Sequence, residues 1–228
     1  MAKALELQME LKEVRELSFE ERLTMLIEAE ALDKEDKRTN SRLKSARLRL
    51  AACLEDVKVK QGRGIDRALI ASLATCEWIR DKRNMSITAP TGGGKTFLTC
   101  ALAHTACRQG FTAAYYRAHV LFDELAIAKG DGSYNTIMCN LESRKLLILD
   151  DFGLEKLAPE NRRDLFEIME RRYDRGSTLI ASQFEVEHWH DIIGDPTLAD
   201  AILDRFVHNS HAIKLKGETM RDPKNQKG

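Results

Sequence analysis

The sequence has no apolar run approaching the roughly 20 residues that a bilayer-spanning helix requires, so no such helix is expected. Its opening, Met1-Ala-Lys-Ala-Leu-Glu-Leu-Gln-Met-Glu10, places acids where a signal peptide would need an unbroken apolar stretch, which argues against export. Cys53, Cys76, Cys100, Cys107 and Cys139 form no C-x-x-C pair and are odd in number; reduced thiols in a cytoplasmic protein are the simplest reading. An excess of one charge is also missing. With 36 basic and 36 acidic residues, no global field recommends nucleic acid as a partner. Internal repeats and low-complexity segments are absent too. What remains is a chain with 43% hydrophobic and 32% charged residues, as in a soluble globular protein. Its 228 residues accommodate one α/β core and a small accessory segment.

The first sixty residues read as a small helical domain. An amphipathic stretch runs from Leu5 to Leu17, and Ser18-Phe-Glu-Glu21 has the spacing of a capping box ahead of Phe19, Leu23, Leu26 and Ile27. A polar break is expected at 33–40, then a third helix over 41–54. Two glycines in Gln61-Gly-Arg-Gly64 suggest a linker. From residue 65 to 228, helical patterns alternate with short apolar strands, the signature of a parallel sheet covered by helices. The expected order is a helix at 66–82, a strand at 85–89, a buried helix through Cys107 and a strand at 112–116. Helices at 119–129 and just after the turn 130–133 precede the strand Lys145-Leu-Leu-Ile-Leu149. Pro159 then opens a helix to Tyr173, followed by a strand at 177–182, a helix at 198–207 and a strand at 211–215.

The segment Ala89-Pro90-Thr91-Gly92-Gly93-Gly94-Lys95-Thr96 lies between the first strand and its helix. Small residues there let backbone N–H groups wrap phosphates at a helix N-terminus, with Lys95 reaching the terminal phosphates and the Thr96 hydroxyl holding Mg²⁺. The phosphate-loop pattern G-x-x-x-x-G-K-[ST] is met except at its first position, Ala89. With a negative φ, an alanine there should reduce the margin without abolishing ATP binding. Asp150 and Asp151 close the buried strand at 146–149. Asp150 is placed to serve the Mg²⁺, and Asp151 to orient or deprotonate the attacking water. Ser182, ending the next strand, is the candidate for addressing the γ-phosphate. Arg205, near the end of an amphipathic helix, could stabilise transferring charge in a neighbouring subunit's site or simply pair on its own surface. His188-Trp-His190 lacks the Cys or carboxylate partners of a metal site.

Several stretches resemble the IstB-like ATP-binding proteins of bacterial insertion sequences, relatives of the DnaC helicase loader. They are Leu17-Ser-Phe-Glu-Glu-Arg22, Ala46-Arg-Leu-Arg-Leu-Ala-Ala-Cys-Leu-Glu-Asp56, Ala101-Leu-Ala-His104, Asp131-Gly-Ser-Tyr134, Leu149-Asp-Asp-Phe-Gly153 and Gly194-Asp-Pro-Thr-Leu-Ala-Asp-Ala-Ile-Leu-Asp-Arg205. The resemblance implies an AAA+ parallel sheet with a central phosphate-loop strand. It further implies a transposition helper that binds ATP, forms homo-oligomers on double-stranded DNA and activates a transposase, with Arg205 as a trans-acting finger. The family usually has Gly where Ala89 stands, and many AAA+ proteins have Glu where Asp151 stands. Relatives also carry a few residues ahead of this chain's start.

Arg38, Arg42, Lys44, Arg47 and Arg49 belong to an acid-free stretch, with Lys58, Lys60 and Arg63 beyond. They could contact DNA phosphates without reading bases, or form an ordinary solvated face. No aromatic residues are interleaved, so little base specificity is expected. A replicative helicase loader and a non-hydrolysing ATP-dependent scaffold remain alternative functions.

Overall fold

The computed structural model describes residues 1–10, 14, 16–57, 59 and 64–216. Chain contacts divide it into two compact units, 1–42 and 43–228. The first unit holds α1 (Ala2–Glu10) and most of α2 (Phe19–Ala46). The expected capping box starts α2: Ser18 N donates to the Glu21 carboxylate at 2.8 Å and Glu21 N to the Ser18 hydroxyl at 3.3 Å. The bonds to Ser18 hold the Glu21 carboxyl below its ordinary range. The polar break expected at 33–40 does not occur. Ion pairs Glu30–Lys34 and Asp33–Lys37, each one helical turn apart, carry the helix through this stretch.

The expected helix over 41–54 is also replaced. α2 stops at Ala46, Arg47 adopts a left-handed φ of 53°, and the chain continues irregularly to a short 3-10 turn at Leu54–Asp56. Ala46, Ala52 and Leu54 are buried in the same apolar cluster as the sheet, so residues 43–57 belong with the second unit and not with a helical domain ending at 60. Of the expected linker, only Gly64 is described, with φ 77°. Its missing side chain matters: a Cβ would stand 2.0 Å from the Lys214 carbonyl oxygen.

The second unit carries a five-stranded parallel sheet, β1 (Asn84–Thr88), β2 (Ala113–Arg117), β3 (Leu146–Phe152), β4 (Ser177–Ser182) and β5 (Ser210–Lys214), in the order β2-β3-β4-β1-β5. The phosphate-loop strand β1 is therefore interior, but β4 is the middle strand. The helix expected at 66–82 is two, α3 (Arg67–Ala74) and α4 (Glu77–Arg80), parted at Cys76, whose φ is 55°. The others are α5 (Lys95–Arg108), α6 (Ala118–Asp131), α7 (Tyr134–Ser143), α8 (Pro159–Arg172), α9 (Trp189–Ile193) and α10 (Pro196–Val207).

Strand alternation builds two cores. Leu146 and Ile148 join the cluster containing α5, whereas Leu147 and Leu149 face the cluster containing α6 and α8 to α10. Parallel strands covered on both faces place every C-terminal strand end at one edge, where loops leave the sheet and ligands are usually held.

Candidate functional site

β1 delivers Ala89 to that edge. Ala89 is buried and donates its N–H to the Ser182 carbonyl at 3.2 Å, which ties the loop's first residue to the end of β4. Its φ is not positive, the condition under which an alanine was expected to be tolerated. Gly92 and Gly94 adopt φ of 79° and 92°, and Gly94 caps α5. A Cβ on Gly93 would lie 2.9 Å from the Ala89 Cβ and 3.0 Å from the Pro90 oxygen, so the loop turns too closely on itself there for a side chain. Lys95 begins α5, nearly buried, and its ammonium donates to the Ala89 and Pro90 carbonyls at 2.7 and 3.3 Å. A cation, a helix N-terminus and a cradle without side chains together suit phosphate.

Asp150, fully buried at the end of β3, comes next to this loop. Its Oδ2 accepts hydrogen bonds from the Thr96 hydroxyl at 2.7 Å and the Tyr115 phenol at 2.7 Å, while its Oδ1 accepts from Asp151 N at 2.9 Å. Hydroxyl and carboxylate oxygens are the hard donors that Mg²⁺ favours, so Thr96 and Asp150 are a fitting pair for it. Burial, followed by the bond to Asp150, pushes the Tyr115 phenol well above its ordinary pKa and keeps it a donor. Among the described residues there is no cluster of three or more His, Cys, Asp or Glu side chains that could hold a metal by themselves.

Asp151 follows at a break in register between β3 and β4, with φ 57°. This bulge turns its side chain outward, where Arg49 Nη1 lies 3.5 Å from its Oδ2. The structure brings the Ser182 backbone to the loop but not its hydroxyl. The Ser182 hydroxyl is fully buried, donating to the Phe152 carbonyl at 2.8 Å and accepting from Phe184 N at 3.1 Å. Gln183, one residue on, accepts from the Thr91 hydroxyl at 3.0 Å and so faces the loop. Tyr115 and Gln183 escaped the sequence reading. The available signal was their place at or near the C-terminal ends of strands beside the loop strand.

Arg205 is remote from its own chain's loop. Asn84, at the opposite end of β1 from Ala89, donates to the Arg205 and Phe206 carbonyls. The Arg205 guanidinium bonds Glu170 and the Ala201 carbonyl and lies over the Phe166 ring. Of the basic stretch, Arg38 and Arg42 both pair with Glu35 within the first unit. In the second unit Lys44 and Arg47 are exposed, and Arg49 faces Asp151. Lys58, Lys60 and Arg63 lie outside the described residues.

Comparison with known proteins agrees with this geometry. The chain is 48% identical to an insertion-sequence ATP-binding protein of Sinorhizobium fredii, over 97% of this chain and 90% of that one. It is 46% identical to the IS1162 ATP-binding protein of Pseudomonas fluorescens over 80% of each. Similar solved structures include DnaI, with TM-score 0.62 at 19% identity over 75% of this chain and 91% of that one. The DnaC helicase loader gives TM-score 0.61 at 17% identity, over 72% and 97%. The AMPPCP-bound DnaA of Aquifex aeolicus gives TM-score 0.62 at 20% identity, over 75% and 52%. At these identities the likeness shows the AAA+ fold. The profile of the IstB-like ATP binding protein family matches residues 1–228, and the chain belongs to that family of insertion-sequence ATP-binding proteins.

Proposed function

We propose that this protein is an ATP-hydrolysing transposition helper that assembles into homo-oligomers on double-stranded DNA and activates a partner transposase in the cytoplasm. The observation carrying the nucleotide chemistry is the convergence of Lys95, Thr96 and Asp150 at the end of a loop that has no room for a side chain at Gly93. Residues 89–96 bind the phosphates through backbone N–H groups, and Lys95 exchanges its two carbonyl partners for phosphate oxygens. Magnesium held by Thr96 and Asp150 would neutralise charge on those oxygens. Tyr115 fixes the Asp150 carboxylate, Asp151 orients the attacking water, and Gln183 addresses the γ-phosphate.

Arg205 acts on a neighbouring subunit. Its backbone lies at the far end of β1, and a five-residue strand spans roughly 15 Å, beyond the reach of its side chain. Assembly would therefore complete each site. Support for DNA and transposase as partners comes from the relatives' names as insertion-sequence proteins and from a DnaA neighbour solved with AMPPCP and single-stranded DNA. Exposed Lys44 and Arg47 suit phosphate contacts without base reading.

The test is DNA-stimulated ATP hydrolysis by wild type, Lys95→Ala and Arg205→Ala, with oligomer size measured in parallel. Hydrolysis should collapse in both variants, with ATP binding lost only in Lys95→Ala. Undiminished turnover in Lys95→Ala would remove the site assignment. Normal hydrolysis by Arg205→Ala would remove the trans-acting role.

A further inference from the structure

Arg49 joins two features that the proposed function leaves separate, the basic stretch and the carboxylate that handles water. After α2 ends, the left-handed Arg47 turns the chain so that 48–54 runs along α5. Ala52 and Leu54 anchor this run in the core, and the backbone at Arg49 and Leu50 reaches the buried Cys100 thiol. The Arg49 side chain is thereby held beside Asp151. Its Nη1 stands 3.5 Å from Asp151 Oδ2, and its guanidinium also faces Tyr115, the phenol that bonds Asp150.

We propose that Arg49 is a positioning residue that restrains Asp151 until DNA takes its place. This inference rests on the reading of Asp151 as the water-orienting group and of the basic stretch as a DNA contact. A guanidinium facing a carboxylate oxygen competes with the attacking water for it and biases where the carboxylate points. The pair is also built to be released: 45% of the Arg49 side chain and 28% of the Asp151 side chain remain exposed. A backbone phosphate can approach Arg49 from solvent, beside exposed Lys44 and Arg47, and compete for it. Occupancy by DNA then frees Asp151 without any rearrangement of the sheet. The restraint is modest, because pairs this exposed are weak.

The experiment compares steady-state hydrolysis by the full chain at saturating ATP and Mg²⁺, with and without a duplex of arbitrary sequence, for wild type, Arg49→Gln and Arg49→Lys. Removing the restraint should raise the DNA-free kcat of Arg49→Gln about two- to fivefold and shrink the DNA stimulation ratio correspondingly. The KM for ATP and the affinity for a fluorescent ATP analogue should stay at wild-type values, which also reports that the loop is folded. Arg49→Lys keeps a cation within reach and should stay near wild type. A DNA-free rate in Arg49→Gln that is unchanged or lower, while wild type is stimulated by DNA, overturns the inference and leaves the proposed function standing. Wild type that hydrolyses ATP with no response to DNA removes the DNA reading itself, and the inference with it.

Discussion

Replacing Ala89 with glycine, the residue of the phosphate-loop pattern, should weaken the protein without improving its grip on ATP. The Ala89 methyl is buried and its backbone lies outside the left-handed region, so glycine gains nothing from its freedom. The loss of one buried methyl costs about 0.8 kcal/mol, and the added backbone entropy of the unfolded chain about 0.5–1 kcal/mol. Ala89→Gly should therefore destabilise by about 1.5 kcal/mol, with ATP affinity within about twofold of wild type. Gly93→Ala behaves differently, because its Cβ would meet the Ala89 Cβ at 2.9 Å and the Pro90 oxygen at 3.0 Å. Overpacking of this kind costs about 1–3 kcal/mol, and here it also distorts the turn of the loop proposed to hold phosphate. In the double variant the methyl–methyl clash disappears while the carbonyl contact stays. The pair should be less destabilised than the sum of the singles by about 1 kcal/mol. Urea unfolding of the four proteins, with titration of a fluorescent ATP analogue, measures both quantities. Strict additivity, or a tenfold gain in ATP affinity by Ala89→Gly, would refute the account of why alanine is tolerated.

Ser182→Ala should lower stability by about 1–3 kcal/mol by stranding a buried carbonyl and an amide, whereas Gln183→Ala should unfold like wild type in urea and lose turnover. Tyr115→Phe deprives the buried Asp150 of one of two side-chain donors and should cost about 2 kcal/mol in the same assay. Arg172, 2% exposed, donates to the Leu141, Arg144 and Ser177 carbonyls and the Thr178 hydroxyl. Arg172→Met recovers part of the cation's desolvation but strands four acceptors, so a net loss of about 3 kcal/mol is expected on thermal or urea unfolding. The lowered carboxyl pKa of Glu21 stabilises the start of α2 above the usual glutamate value of 4.5 and stops doing so as pH falls through the folded-state value below it. Amide-exchange protection of the first turn should fall over that acid range in wild type and show little pH response in Glu21→Gln, which keeps an acceptor but does not titrate.

The alternation of apolar strands with helices was legible from residue 84 onward because the inner strands β1, β3 and β4 are buried on both faces and helices begin or end on local signals. Pro159 opens α8, and Gly94 precedes α5. The N-terminal region was harder to read. Polarity at 33–40 resembles a loop until its charges are paired at helical spacing, and the end of α2 at Ala46 depends on burial of Ala52 and Leu54 against α5, a tertiary effect. In the site, the loop, Asp150 and Asp151 could be placed by chemistry and order along the chain. Ser182 and Gln183 could not be told apart, since which neighbour turns toward the loop is set by the register of β4 against β3 and the bulge between them. Tyr115 was invisible for a related reason: strand adjacency of β2 and β3 is a property of topology, not of spacing.

The same bulge gives a local reason for the shorter acid at position 151. Its φ of 57° lies in the left-handed region, which aspartate enters far more readily than most residues with a side chain. Glutamate would have to adopt that backbone without the short side chain that eases it. The bulge also ends regular pairing between β3 and β4 before Phe152 resumes it opposite Ser182. The buried Ser182 hydroxyl then fastens the Phe152 carbonyl. Ser182 thus holds the backbone beside the bulge from which Asp151 leaves the sheet, while Gln183 faces the phosphate loop.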